Sequence, residues 1–193
     1  SSVRLIASRT HPNFVKKLFE LEVPEIYENV VKIKSIAREA GDRTKIAVMT
    51  DSANIDCVGA CVGVRGARVK NIVNELRNEK IDIVRWDLDP VQFIKNALAP
   101  AEVIKININE KDKSSQVIVA EDQLSLAIGK KGQNARLAAK LTGWNIDIHT
   151  KEVSVEDVEK AMFKSTSDEE MKSMIDQAIS QLSELSCING DIA

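Results

Sequence analysis

The sequence repeats itself, and that repeat constrains the fold more than any other feature. Gly63-Val64-Arg65-Gly66 and Gly129-Lys130-Lys131-Gly132 are each followed by a stretch of helical pattern and then by Ile-Asp-Ile, at Ile81-Asp82-Ile83 and Ile146-Asp147-Ile148. The interval from first glycine to first isoleucine is 18 residues in one copy and 17 in the other. The likeness extends upstream, where "HPNFVKKLFE" from His11 resembles "DPVQFIKNAL" from Asp89. Both carry Pro near a helix start, where its missing N–H costs nothing.

The second copy reads as a helix capped by Asp89 and running to about Leu98, with Pro100 closing it. An alternating strand follows over 101–109, with Ile104, Ile106 and Ile108 on one face. "EKDKSS" is a polar turn, 116–120 a buried strand, and Asp122 the cap of a short helix through Ile128. After the glycine loop comes a helix to about Leu141, ended by Gly143, and a strand over 144–149. The first copy gives a helix over 12–22, strands near 30–40 and 43–50, a short helix over 55–62, the loop, a helix over 67–77 and a strand over 80–86. The fold class is therefore α+β, two tandem αββααβ domains at 11–88 and 89–150, with only Asp87 and Leu88 between strand and helix at the junction. Residues 151–193 read as a short acidic helical tail, with capping-box patterns at Ser154/Asp157 and Ser167/Glu170. Residues 1–10 are too few for a domain and read as the terminal strand of something upstream. Ser1 stands where an initiator Met would, so a fragment of a longer protein is expected.

Charge follows the same division. Residues 1–150 carry 23 Lys and Arg against 19 Asp and Glu, whereas 151–193 carry 4 against 10. The basic residues Arg65, Arg68, Lys70, Lys130, Lys131 and Arg136 cluster at the glycine loops. No apolar run approaches the roughly 18 residues of a membrane span. Three cysteines, Cys57, Cys61 and Cys187, do not form a disulfide framework, which points to a reducing, cytoplasmic setting.

Two glycines spaced by two residues permit a tight turn and close approach by a partner's backbone. The free N–H groups of the following helix, with the positive end of its dipole behind them, make an anion site. A phosphate is the natural occupant. The Gly-x4-Gly-Lys-Ser/Thr run of nucleotide hydrolases is missing, which argues against ATP or GTP. Gly-x-x-Gly between two helices, in an αββααβ setting and present twice, is the mark of the KH module, which clamps the backbone of single-stranded RNA. Ile128, Ile146 and Ile148 suit the aliphatic wall of such a groove, and suit a core equally. Neither Cys57 and Cys61 nor His11 and His149 form a ligand set, and no catalytic grouping stands out; no cofactor, no metal and no enzymatic activity are expected.

The stretches "DCVGACVGVRGARVKNIVNELRNEKIDIVRWDLDPVQFIKNALAPAEV" and "QLSLAIGKKGQNARLAAKLTGWNIDI" resemble the tandem KH region of the NusA family of bacterial transcription factors. The resemblance covers about His11 to Thr150. It implies prokaryotic-type (type II) KH folds that bind nascent single-stranded RNA during pausing, termination and antitermination. It also implies that residues 1–10 end a preceding OB-fold RNA-binding domain, and that RNA polymerase is engaged through domains outside this chain. RNA contacts are expected at Gly63, Val64, Arg65, Gly66, Arg68 and Lys70, and at Gly129, Lys130, Lys131, Gly132, Gln133, Asn134 and Arg136. With one basic residue between its glycines, the first loop should grip phosphate less firmly than the second. A monomer with no membrane contact is expected. The alternatives are a KH module of a ribosome-assembly factor or of an RNA-processing enzyme.

Overall fold

The computed structural model describes residue 3 and residues 6–150; the expected acidic tail over 151–193 lies outside the described residues. The first module runs α1 (Pro12–Glu22), α2 (Pro24–Tyr27), β1 (Val31–Glu39), β2 (Arg43–Thr50), α3 (Cys57–Val62), α4 (Ala67–Glu75) and β3 (Lys80–Arg85). The second runs α5 (Pro90–Leu98), β4 (Val103–Asn109), β5 (Ser114–Val119), α6 (Glu121–Ile128), α7 (Gln133–Thr142) and β6 (Asn145–Thr150). A single 3-10 turn, Val64–Gly66 or Lys130–Gly132, separates the paired helices in each module. The opening helices start as their sequences dictate. The His11 ring accepts from the Asn13 N–H at 3.1 Å and the Asp89 carboxylate from the Val91 N–H at 3.0 Å, each with Pro in the first turn.

One element is added and three local expectations change. Pro24 forces Val23 into an extended conformation, so α1 stops and a separate turn, α2, begins. Asp122 is not a cap: α6 starts two residues earlier, behind Ala120, and Asp122 sits in its first turn, favoured by the dipole. Ser114 and Ser115 belong to β5 rather than to the turn. Residues 6–10 form no strand; Arg9 instead lies 4.7 Å from the Phe14 ring centre and pairs with Glu75.

Each module holds a three-stranded sheet with β2 or β5 at its centre, antiparallel to β1 or β4 and parallel to β3 or β6. The parallel pairing needs a crossover, which the two helices and the glycine turn supply. Both antiparallel pairs carry a bulge at the same place, at Lys34 and Ile104. The bulge breaks the alternation expected of β4. Val103, Ile106 and Ile108 face the core while Ile104 is exposed. In the first module the bulged Lys34 lies over the Trp86 ring at 4.9 Å.

The first core joins Val15, Phe19 and Val23 of the opening helices to Ile46 and Val48 of β2 and to Ile72 of α4. The second core joins Phe93, Ile94 and Leu98 of α5 to Val117, Val119, Leu137 and Leu141. It also includes Ala37, Ala47 and Val84, which belong to the outer face of the first sheet. The second module's helices α5 and α7 therefore close over that sheet, and alanines let them approach. Lys45 is buried in the same contact, 3.2 Å from Asp82 and 3.4 Å from the Ala99 carbonyl at the end of α5. The Ser35 hydroxyl donates to the Leu141 carbonyl at 2.9 Å.

Candidate nucleic-acid interface

The two glycine loops have nearly the same backbone. Gly63 and Gly129 both adopt φ 73°, ψ 174°, a conformation open essentially to glycine alone. Arg65 (φ 53°, ψ 26°) and Lys131 (φ 53°, ψ 30°) are left-handed, as are Gly66 (φ 74°, ψ 18°) and Gly132 (φ 72°, ψ 16°). In each loop the last glycine N–H donates to the first glycine carbonyl at 3.1 Å.

The two glycines of a loop do different things. A Cβ on Gly129 would lie 2.8 Å from the Asn134 Cβ and 2.9 Å from its backbone nitrogen, and one on Gly63 would lie 2.7 Å from Arg68 Cγ. The first glycine thus lets the following helix close against the turn. The last glycine faces open space, with nothing within 4 Å of a Cβ on Gly132, which leaves room for a partner's backbone. Gly66 and Gly132 occupy the N-cap positions of α4 and α7, and no side chain caps either helix. The first-turn N–H groups of two helices are left to face an anion.

Val64, Arg65, Lys70, Lys130 and Lys131 are exposed around these helix ends. Other expected contacts are engaged elsewhere. Arg68 donates to the Ala60 carbonyl at 2.6 Å and pairs with Glu25 at 2.8 Å. Asn134 is 3% exposed, and its amide donates to the Leu98, Leu126 and Ala127 carbonyls at 3.0–3.2 Å. Arg68 and Asn134 sit five residues after the first glycine of their loops. Both reach back to the end of the preceding helix, so they brace the turn instead of lining its surface. Gln133 and Arg136 cross to the first module and bond Glu39, with Asp42 as a second acceptor for Gln133. Glu39 and Asp42 therefore belong to the surroundings of the second loop, ninety or more residues away in sequence, and no local pattern announces them.

α3 packs beside β3 and α6 beside β6. Val62, Ile81 and Ile83, and likewise Ile146 and Ile148, are half-buried at these contacts, and Ile128 is 38% exposed. Each module thus has an aliphatic wall near its glycine loop. Cys57 and Cys61 are buried in α3, and burial pushes the Cys61 thiol up to about 12. Among the described residues no group of three or more His, Cys, Asp or Glu side chains could hold a metal ion, and no helix is long and apolar enough to cross a membrane.

Residues 9–86 match the NusA-like first KH domain, and residues 90–156 the NusA-like second KH domain. The chain belongs to the NusA-like tandem KH family. It is 64% identical over 145 residues to the transcription termination/antitermination protein NusA of Halalkalibacterium halodurans, a match covering 75% of this chain and 38% of that protein. It is 62% identical over 145 residues to the protein of the same name from Bacillus subtilis, covering 75% and 39%. The chain thus spans about two fifths of the length of these relatives. The crystal structure of APE1850 superimposes with a TM-score of 0.53 at 25% identity, covering 72% of this chain and 97% of that one. The glycine turns described above are the Gly-x-x-Gly loops of two KH domains.

Proposed function

We propose that this chain binds single-stranded RNA through both KH loops, as the RNA-binding part of a transcription factor that modulates pausing, termination and antitermination by RNA polymerase in the bacterial cytoplasm. The observation that carries this reading is the pair of uncapped helix N-termini. Each lies behind a two-glycine turn of the same conformation and is flanked by exposed cations. Phosphates of one strand would sit over Gly63, Val64, Arg65 and Gly66, with Lys70 nearby, and over Gly129, Lys130, Lys131 and Gly132. Bases would lie against the aliphatic walls. Arg68 and Asn134 serve as braces. The protein acts by binding rather than catalysis, as a monomer and without a cofactor. RNA polymerase is engaged by parts of the protein outside this chain.

Replacing both Lys130 and Lys131 by Asp tests the reading. Two carboxylates at the second loop should weaken binding of single-stranded RNA by about tenfold or more at low salt, and flatten its salt dependence. Thermal unfolding should be unchanged, because both side chains are exposed. RNA affinity indifferent to the double substitution would overturn the phosphate site.

A further inference from the structure

The two loops share a backbone but not their support. Ala67 and Lys70, one and four positions after the last glycine of the first loop, are the counterparts of Gln133 and Arg136. Ala67 has no polar side chain, and Lys70 is exposed. At the second loop both positions reach into the first module. The Arg136 guanidinium donates from Nε to Glu39 Oε1 at 2.6 Å and from a terminal nitrogen to Glu39 Oε2 at 3.2 Å. Its other terminal nitrogen donates to the Lys131 carbonyl, at 3.2 Å. The Gln133 amide donates to Glu39 Oε2 and to Asp42 Oδ2, both at 2.8 Å.

The hairpin that presents Glu39 is itself held firmly. Its neighbour Arg38 forms a paired contact with Glu79 in which both side chains are almost wholly buried. Glu79 also accepts from the Gly41 N–H at 2.8 Å, in the turn between Glu39 and Asp42. Glu39 is thus a fixed anchor. Lys131, left-handed as Arg65 is in the first loop, is the loop residue that the anchor reaches. Arg136 joins the two, with one end on Glu39 and the other on the Lys131 carbonyl.

We propose that Glu39 of the first KH module is a positioning residue for the RNA site of the second: it aims Arg136 and Gln133, and through them holds Lys130–Gly132 in the conformation that receives phosphate. The inference rests on the RNA reading of the second loop. Arg136, with Gln133, holds the Glu39 carboxyl down to about 2, so the anchor stays ionised through neutral and mildly acidic pH. Its charge is matched by the guanidinium, so it does not present a bare carboxylate to RNA. A plain surface ion pair contributes little and would leave the loop indifferent to its loss. The second loop is therefore a composite of both modules, and the first loop is built from one.

The test uses the full 193-residue chain with Glu39→Ala and Glu39→Gln. The first readout is amide hydrogen exchange at Gly132, whose N–H bonds the Gly129 carbonyl, with Gly66 on the first loop as internal control. The second is affinity for a short single-stranded oligoribonucleotide. Glu39→Ala should speed exchange at Gly132 and weaken RNA binding by about tenfold each, the equivalent of one lost charge-assisted bond, with Gly66 unchanged. Glu39→Gln keeps an acceptor for Arg136 and should recover part of both. Adding Glu39→Ala to the Lys130→Asp, Lys131→Asp protein should weaken RNA no further. Unchanged exchange at Gly132, or tighter RNA binding by Glu39→Ala, overturns the proposal; the latter would make Glu39 a competitor for Arg136. Faster exchange at Gly132 in a protein whose RNA affinity ignores both lysines supports the anchor and overturns the RNA reading instead.

Discussion

β2 and β5 are the central strands of two copies of one fold, yet one is buried on both faces and the other on one. From Thr44 to Val48 every residue of β2 is buried, whereas along β5 buried Ser115, Val117 and Val119 alternate with more exposed neighbours. The cause lies in the chain order. α5 and α7 cover the outer face of the first sheet, and among the described residues nothing covers the corresponding face of the second. The strand registers match Ala47 with Ile118, Lys45 with Gln116, and Val84 with His149. Alanine, valine and one paired lysine stand where a helix must approach; the matching positions in the second sheet are the exposed Gln116 and His149 and a half-buried Ile118 too large for such an approach. A duplicated domain keeps its inner face and loop and diverges where the copies meet.

That contrast can be broken most sharply at its centre. Ala47→Asp places a carboxylate in the contact between modules and should cost about 3–5 kcal/mol in denaturant unfolding. Ile118→Asp, at the matching position, should cost about 1 kcal/mol, because its face is open to water. Equal losses would mean that the two sheets are not differently covered.

The loops offer a smaller contrast. Gly129→Ala must strain the backbone and press on the fixed Cβ and nitrogen of Asn134, for a loss of about 3 kcal/mol in the same measurement. Gly63→Ala carries the same backbone strain but meets only side-chain carbons of Arg68 and no backbone atom, so a smaller loss of about 2 kcal/mol is expected.

Smaller again is the pair of aspartates in the repeated Ile-Asp-Ile. Asp82 neutralises buried Lys45 and accepts from Arg43 at 2.7 Å. Burial alone would raise its carboxyl, but the Arg43 bond and the Lys45 charge hold it below the usual range. Burial lowers the Lys45 ammonium despite Asp82. Asp82→Ala should therefore destabilise by about 2 kcal/mol, leaving a buried cation unpaired. Asp147→Ala, whose side chain is 74% exposed, should stay within about 0.5 kcal/mol.

The smallest effect is one of pH. Glu39 has a folded value of about 2 against an ordinary 4.5, so its stabilisation is complete above 4.5 and fades as pH falls towards 2. Acid titration of the unaltered chain and of Glu39→Gln should converge over that interval and run parallel above it. A constant offset down to pH 2 would show that Glu39 does not titrate with folding.

Local pattern settled much of this protein. The Gly-x-x-Gly turns were legible because left-handed backbone beside a packed helix admits little but glycine, and the six principal elements of each module because hydrophobic period and Pro or Gly punctuation are local signals. The exposed cations of Arg65, Lys130 and Lys131 were legible for the same reason. Tertiary structure decided what those neighbours do. Arg68, Gln133, Asn134 and Arg136 look in sequence like further ligands for phosphate, yet Asn134 lies inside and the others are bonded to Glu25, Glu39 and Asp42. Hydrogen bonds between residues far apart in the chain leave no spacing to read. The burial of both faces of β2 follows likewise from what packs on the sheet, and the bulge that exposes Ile104 left no mark in the alternation of β4. Alternation in a strand records one covered face, and only the docking of α5 and α7 supplies the second.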